Sequence, residues 1–250
     1  MTIHVVTFHT TKSTWTEQPH PLNGFKRPHT EFVDLFLASL RTHEPDATIT
    51  LLTDMDSDVP GSYDWVIRRE FPQAELTLAR FKMQRDFLAL LGERLERVVM
   101  LDTDILLNGR LGGVFDGGFD MGLTIRDQPM EPGEVEMPYN NGVIFVDCRR
   151  RLDGILAFYD EIIRRVQVMH TDLHSWLGTQ YAVRDLVGRQ TVGTTVEVGA
   201  IDFRILPCST FNHTPRSADE CVANRVVLHF KGQFKQLMTD YAETLKVAPV

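Results

Sequence analysis

Two carboxylates stand two residues apart in an otherwise apolar stretch of the chain. Asp102 and Asp104 interrupt the run VVMLDTDILL, residues 98–107. On an extended backbone both side chains would point the same way, and two facing carboxylates repel each other unless a cation lies between them. Hard oxygen ligands suit Mg²⁺ or Mn²⁺, which commonly bridge to phosphate oxygens. The spacing therefore predicts a metal site, against the simpler interpretation of an acidic turn after a strand.

A second set of polar residues lies far downstream, in LHFKGQFK, residues 228–235. His229 ends an apolar run, and Gly232 and Lys235 follow it. The imidazole could supply a third ligand to the same ion, the glycine would let the backbone approach a diphosphate closely, and the lysine would place a point charge on phosphate oxygens. The alternative interpretation is a half-buried histidine beside a surface lysine.

The elements that must position these residues alternate between strand and helix in the first hundred positions. Runs typical of strands cover 3–7, 48–53 and 97–101, and helical spacing covers 32–40 and 76–91. In the second half, extended patterns cover 120–125, 142–147, 196–206 and 226–230, and helical patterns cover 152–168, 175–187 and 236–245. This order predicts an α/β fold with a parallel sheet, in which ligands bind at the carboxyl ends of strands.

Composition excludes several classes of protein. The chain has 250 residues, 43% of them hydrophobic and 24% charged, which argues against a disordered or collagen-like chain. A net charge of −8 disfavours non-specific binding of nucleic acid. Three cysteines, Cys148, Cys208 and Cys221, show no metal-like spacing and are expected to be reduced thiols. No run reaches the roughly 18 apolar residues of a membrane span, so we expect a cytoplasmic protein without a transmembrane anchor.

Five segments in order along the chain resemble the GT-A glycosyltransferases, and more narrowly family eight, the group that contains glycogenin and bacterial galactosyl- and glucosyltransferases. They are the D-x-D strand, YNNGVIFVDC at Tyr139–Cys148, Trp176–Gln180, Ile205–Asn212 and the late HFKGQFK segment. The resemblance implies a single GT-A domain, Rossmann-like, with a mixed, mostly parallel sheet flanked by helices. Residues 1–107 would form its nucleotide-binding half and residues 108–250 its donor-sugar and acceptor half.

The resemblance also implies a metal-bound nucleotide sugar. Asp102, Asp104 and His229 would bind Mn²⁺ or Mg²⁺, which grips the diphosphate of a UDP-sugar. The remaining residues implied for the nucleotide are Thr103, Gly232 and Lys235 at the diphosphate, Phe8 and Thr10 at the base, and one arginine of the preceding helix, with Arg85 preferred to Arg80. The chain departs from the family pattern at His9 and in the following TTKSTW, residues 10–15, which leaves the base open.

The residues implied for the sugar are Asn140 and Asn141, which touch it, and Gln180, which lies beneath its ring. Gln180 and Asn141 are the predicted catalytic residues, although an Asn-Gly pair is also a common tight turn. Thr179 replaces the usual aspartate, so the sugar is not determined. Asp185 and Asp202 could substitute for it, without support from their positions.

The predicted function is therefore metal-dependent transfer of a hexose from a nucleotide sugar, with retention of configuration. The acceptor would be a saccharide, a small molecule, a protein or a modified nucleobase. One alternative is a sugar-nucleotide nucleotidyltransferase, which usually carries a glycine-rich loop after the first strand, whereas this chain has no glycine before Gly24. Another alternative is a non-catalytic binding module with a transferase-like fold.

Overall fold

An eight-stranded sheet with helices on both faces organises the chain, and two further short strands pair beside it. The computed structural model describes residues 2–11, 29–127, 137–173 and 177–247. The strands are β1 (His4–Phe8), β2 (Thr48–Thr53), β3 (Trp65–Arg68), β4 (Arg97–Asp102), β5 (Ile105–Leu107), β6 (Met121–Ile125), β7 (Tyr139–Asp147), β8 (Thr195–Val198), β9 (Ile201–Pro207) and β10 (Val227–His229). The α-helices are α1 (His29–His43), α2 (Leu76–Leu91), α3 (Leu152–Met169), α4 (Gly178–Val187), α5 (Cys208–Phe211) and α6 (Leu237–Thr244).

The strand order in the large sheet is β3-β2-β1-β4-β7-β6-β9-β8. The four strands from β3 to β4 are parallel, and so are β6 and β9, whereas β7 runs antiparallel to both of its neighbours. The carboxyl ends of β1, β2, β4, β6 and β9 therefore lie at one edge of the sheet, together with the start of β7. Loops at this edge are the natural place for a ligand in an α/β fold.

Two apolar layers cover the sheet, because successive residues of a strand face opposite sides. On β1, Val5 packs in one layer with α1, α6, β5 and β10, and Val6 packs in the other with α2, α3 and α4. Both side chains are fully buried. The sheet is continuous across the predicted boundary at residue 107, since β4 pairs with β7. None of the helices in the described ranges is both long and apolar enough to cross a membrane.

The predicted α/β, mostly parallel, single-domain architecture is confirmed, with corrections to particular elements. The extended region 196–206 is two antiparallel strands, β8 and β9, which turn at Gly199 with φ +62°. The helix predicted over 175–187 begins at Gly178, and residues 175 and 176 lie outside the described ranges. Two strands were not predicted, β3 and β5.

Candidate functional site

Three ionisable side chains converge at the carboxyl edge of the sheet. Asp102 ends β4, Asp104 precedes β5 and His229 ends β10. The antiparallel pairing of β5 with β10 sets Ile105 opposite His229, and the Phe230 N–H donates to the Asp104 carbonyl at 2.8 Å. One ligand atom from each of the three side chains lies within 4.8 Å of the other two. The backbone bends at Thr103 and Asp104, so the two carboxylates are not carried by one continuous extended segment, and the pairing of β5 with β10 brings the histidine to them.

Two cations already balance the two carboxylates. The Arg80 guanidinium, from α2, forms an ion pair with Asp102. The Lys235 ammonium lies 3.0 Å from one oxygen of Asp104, and His229 Nε2 lies 3.0 Å from the other. Burial alone would raise the pKa of the Asp104 carboxyl, but the charges of Lys235 and His229 outweigh burial and hold this pKa well below its ordinary value. Asp104 is therefore a carboxylate throughout the neutral range.

The tautomer of His229 follows from its partner on the other side. Its Nδ1 lies 2.8 Å from Oδ1 of Asn212. The Asn212 amide nitrogen donates to Thr124 Oγ1 at 2.7 Å and to Asn140 Oδ1 at 3.0 Å, which leaves Oδ1 as the acceptor. Nδ1 must then carry the proton, so a neutral ring presents the bare Nε2 to the carboxylate oxygens. A lone pair against carboxylates needs a cation at that point, either a proton or a metal ion.

The donor set fits a divalent metal ion. Two carboxylates and one neutral imidazole suit Mn²⁺ or Mg²⁺, and the imidazole tilts the preference toward Mn²⁺. Asn212 is the kind of outer partner that holds a metal-binding histidine in one orientation. Sequence reasoning assigned Asn212 no role, although it ends the Ile205–Asn212 segment. Asn140, predicted to touch the sugar, accepts hydrogen bonds at its Oδ1 from the Gly142 N–H at 2.9 Å and from the Asn212 amide at 3.0 Å, and so also helps to hold Asn212 against the histidine.

A glycine lies directly under the cluster. A β-carbon added to Gly142 would come 2.3 Å from His229 Cε1 and 2.8 Å from Asp102 Oδ2. Such distances are far shorter than an ordinary contact. The start of β7 can therefore pass beneath both side chains only because residue 142 has no side chain. Gly232 differs, because its φ of +53° favours glycine while the space around its missing β-carbon is open.

The remaining residues predicted for the sugar lie beside this glycine. Asn141 is buried, its amide nitrogen lies 3.4 Å from Thr179 Oγ1, and its Oδ1 has no hydrogen-bond partner among the described residues. Gln180 is half-buried in the first turn of α4, and its side chain hydrogen-bonds to no other described residue. Trp176 of the same segment lies outside the described ranges. The aspartates suggested as substitutes are engaged elsewhere, Asp185 with His170 and Arg184, and Asp202 with Arg150 and Arg151.

The two arginines of α2 face different partners. Arg80 joins the cluster through Asp102. The guanidinium of Arg85 instead binds Asp160 of α3, with Nε at 2.9 Å and a terminal nitrogen at 3.1 Å. The geometry therefore favours Arg80 over Arg85, the reverse of the preference from spacing.

A cavity of about 110 Å³ lies at the carboxyl ends of β1 and β2, at the same edge of the sheet as the cluster. Thr10, Asp54 and Phe71 line it, and the Phe71 ring lies 5.6 Å from that of Phe8. Burial would raise the pKa of Asp54, but hydrogen bonds from Ser57 and Thr10 lower it to about 2. Of the two residues predicted for the base, Thr10 thus lines this cavity and Phe8 packs against its wall at Phe71; the wall also includes Asp54, to which sequence reasoning assigned no role.

Comparison with known proteins identifies the fold and leaves the family open. No family model matches the chain, and no curated protein matches it in sequence. Among solved structures, it is similar to a glycosyltransferase involved in the glycosylation of the major capsid of PBCV-1, with 12% identity, a TM-score of 0.55, and coverage of 98% of this chain and 100% of that one.

The chain is also similar to the glycosyltransferase GlyE of Streptococcus pneumoniae TIGR4, with 14% identity, a TM-score of 0.55 and coverage of 98% of this chain. The apo form of GlyE gives 14% identity, a TM-score of 0.57 and coverage of 100%. The chain spans 64% and 65% of the two GlyE chains. The fold of this protein is therefore that of solved glycosyltransferases.

Proposed function

We propose that the protein is a metal-dependent glycosyltransferase that moves a hexose from a nucleotide sugar, a UDP-sugar, to an acceptor with retention of configuration. The observation that carries the proposal is the convergence of three side chains: His229 Nε2 lies 3.0 Å from Asp104 and 3.7 Å from Asp102, while its Nδ1 is held by Asn212. The shared fold and the five segments that resemble the glycosyltransferases support it.

The charges around the cluster support a diphosphate as the ligand. The negative charges of Asp102 and Asp104 are balanced by the positive charges of Arg80 and Lys235. Most of the charge of a divalent ion held here would therefore be available to bind a further anion. A nucleotide-sugar diphosphate carries two negative charges. When bound, the metal would act as a Lewis acid for the charge that develops on the departing nucleoside diphosphate.

The remaining roles belong to residues of the chain. Lys235 would exchange part of its contact with Asp104 for the diphosphate. Phe8 and Thr10 would hold the base at the cavity on the nucleotide side. Asn141, whose buried Oδ1 has no partner within the part of the chain that the structure describes, would accept a hydrogen bond from a sugar hydroxyl, and Gln180 would lie beneath the ring. No acidic residue stands at the position that the resemblance implies for a covalent nucleophile, which favours attack of the acceptor from the leaving-group face.

The test is calorimetric binding of UDP and uridine with and without Mn²⁺. We expect Mn²⁺ to tighten UDP binding and to leave uridine binding unchanged, because only UDP has phosphates to bridge. Asp104→Asn should weaken UDP binding in the presence of Mn²⁺ at least a hundredfold, which corresponds to about 2.7 kcal/mol. The matched control is Asp116→Asn, an exposed carboxylate in the 3₁₀ helix 112–117.

Catalysis is tested with UDP-glucose and UDP-galactose as donors. Slow Mn²⁺-dependent release of UDP would distinguish a transferase from a binding module. Failure to release pyrophosphate from UTP would distinguish it from a nucleotidyltransferase. Equal affinity for UDP with and without Mn²⁺ would contradict the proposal.

A further inference from the structure

An arginine at the outer edge of the sheet binds the loop that forms part of the base cavity. Arg68 is the last residue of β3, the edge strand. One terminal nitrogen of its guanidinium donates to the backbone carbonyls of Asp54 at 2.9 Å, Met55 at 3.1 Å and Ser57 at 3.0 Å. Three carbonyl oxygens that converge on one point repel one another unless a cation lies between them. The guanidinium therefore fixes the conformation of residues 54–57, which directly follow β2.

The same loop is tied to the end of β1 through the side chain of Asp54. One carboxylate oxygen accepts from the backbone N–H groups of Asp56 and Ser57, each at 2.8 Å, and the other accepts from the hydroxyls of Thr10 and Ser57. The Ser57 hydroxyl oxygen also accepts from the Thr11 N–H at 2.7 Å. These four donors match the acceptor capacity of a carboxylate. Asp54 therefore holds Thr10 in place at the cavity, and the position of Asp54 depends in turn on the conformation of the loop.

Arg68 connects two segments of the cavity wall. Residues 54–56 line the cavity, and so do Glu70 and Phe71, which follow β3. Arg68 belongs to the strand that leads directly into Glu70 and Phe71, while its guanidinium binds the carbonyls of the loop after β2. Its contacts therefore set the distance between these two segments, and with it the width of the cavity.

We propose that Arg68 is a positioning residue for the nucleotide base, which fixes the shape of the base cavity by holding residues 54–57 against the end of β3. The inference rests on the proposed glycosyltransferase function and adds to it a residue that governs affinity for the base. The residues of the metal cluster lie instead at the ends of β4 and β10 and before β5. Loss of the guanidinium should therefore act on the base and leave the metal and the diphosphate unaffected.

The test measures binding of uridine, and of UDP with Mn²⁺, by calorimetry. Arg68→Ala should weaken both roughly tenfold, because both ligands carry the base, and should leave the ratio of the two affinities unchanged. In Mn²⁺-dependent release of UDP from UDP-glucose or UDP-galactose, KM should rise by a similar factor while kcat stays within about twofold. A residue that served only the stability of the fold would lower Tm without changing the uridine affinity of the folded protein.

Two further variants separate the positioning role from a general effect of lost charge. Arg68→Lys should keep uridine affinity within about threefold, because an ammonium is a point charge with three donors and can bind three carbonyls. The matched control is Arg69→Ala, which removes a guanidinium from the next residue, where the partner is Asp86 of α2. It should keep uridine affinity within about twofold. If circular dichroism shows that Arg68→Ala does not fold, Arg68→Gln carries the same expectation.

Uridine affinity within twofold of the unmodified protein in folded Arg68→Ala would overturn the inference. A loss in Arg68→Lys or in Arg69→Ala as large as that in Arg68→Ala would also overturn it, since the effect would not then depend on a cation at the three carbonyls. If Mn²⁺ did not tighten UDP binding to the unmodified protein, the proposed glycosyltransferase function would fail. Mn²⁺-dependent UDP binding that Arg68→Ala leaves unchanged would overturn the role of Arg68 alone, so the two failures are distinguishable.

Discussion

Replacement of Gly142 by alanine tests whether the ligand cluster depends on the close approach of β7. The new β-carbon would lie 2.3 Å from His229 Cε1 and 2.7 Å from its Nδ1. Since carbon atoms approach to about 3.5 Å, the ring would have to move by roughly 1.2 Å. It has little room to do so, because its side chain is only 4% exposed and its Nδ1 is bonded to Asn212.

The expected loss is large for metal binding and moderate for stability. Metal–ligand distances tolerate deviations of about 0.2 Å, so a shift of this size should weaken Mn²⁺ binding in the presence of UDP at least a hundredfold. Overpacking typically costs about 1–3 kcal/mol, which corresponds to a fall in Tm of about 2–12 °C for a chain of this size. We therefore expect a variant that still folds but binds Mn²⁺ at least a hundredfold more weakly.

The assay is Mn²⁺ titration by electron paramagnetic resonance, with Tm from calorimetry and near-ultraviolet circular dichroism to confirm the fold. The matched control is Gly113→Ala, because a β-carbon there would meet nothing within 4 Å. It should bind Mn²⁺ like the unmodified protein. A Gly142→Ala variant with Mn²⁺ affinity within threefold of the unmodified protein would refute the geometry on which the metal site rests.

Three further predictions use other parts of the site and the sheet. Lys235→Ala should weaken UDP binding roughly ten- to hundredfold more than uridine binding, because its contact is to phosphate, and equal losses in a binding titration would remove it from the diphosphate. Arg80→Ala should reduce Mn²⁺-dependent UDP binding whereas Arg85→Ala should change only stability, and the opposite pattern in calorimetry would restore the preference from spacing. Burial lowers the pKa of His4 from its ordinary 6.5 to about 4, against a smaller opposing effect of Asp64. Protonation of this histidine therefore favours the unfolded chain. Up to about 3 kcal/mol of stability, present in full above pH 6.5, should be lost as the pH falls toward 4. Denaturant unfolding at several pH values should show a shallower decline in His4→Gln, and parallel declines would assign the loss to other groups.

Much of the fold could be predicted because its signals are local. The apolar run of β2 and the helical pattern of α2 were predicted at the residues observed, Thr48–Thr53 and Leu76–Leu91. Both are long enough for hydrophobic periodicity to distinguish strand from helix. β3 and β5 are four and three residues long, too short to carry a period, and β3 lies exposed at the edge of the sheet. Strand pairing, which is not a local property, is what defines them.

The same limit applies to the choice between Arg80 and Arg85. Both belong to α2, and five residues along a helix correspond to a rotation of about 140° between side chains. Which of them faces the cluster depends on how α2 is rotated against the sheet and against α3, whose Asp160 binds Arg85. Separation along the chain from Asp102 carries no information on that rotation.

The sequence by itself determined which functional groups this protein carries and at which strand ends they lie. They are two carboxylates two residues apart and a late histidine with a glycine and a lysine, in an α/β order of elements. Only the tertiary structure decided how these groups meet. Pairing of β5 with β10 brings His229 to Asp104 across more than a hundred residues, Asn212 sets its tautomer, and Gly142 lets β7 pass beneath it. These relations depend on contacts between segments that are distant in the chain, which hydrophobic periodicity and residue spacing do not encode.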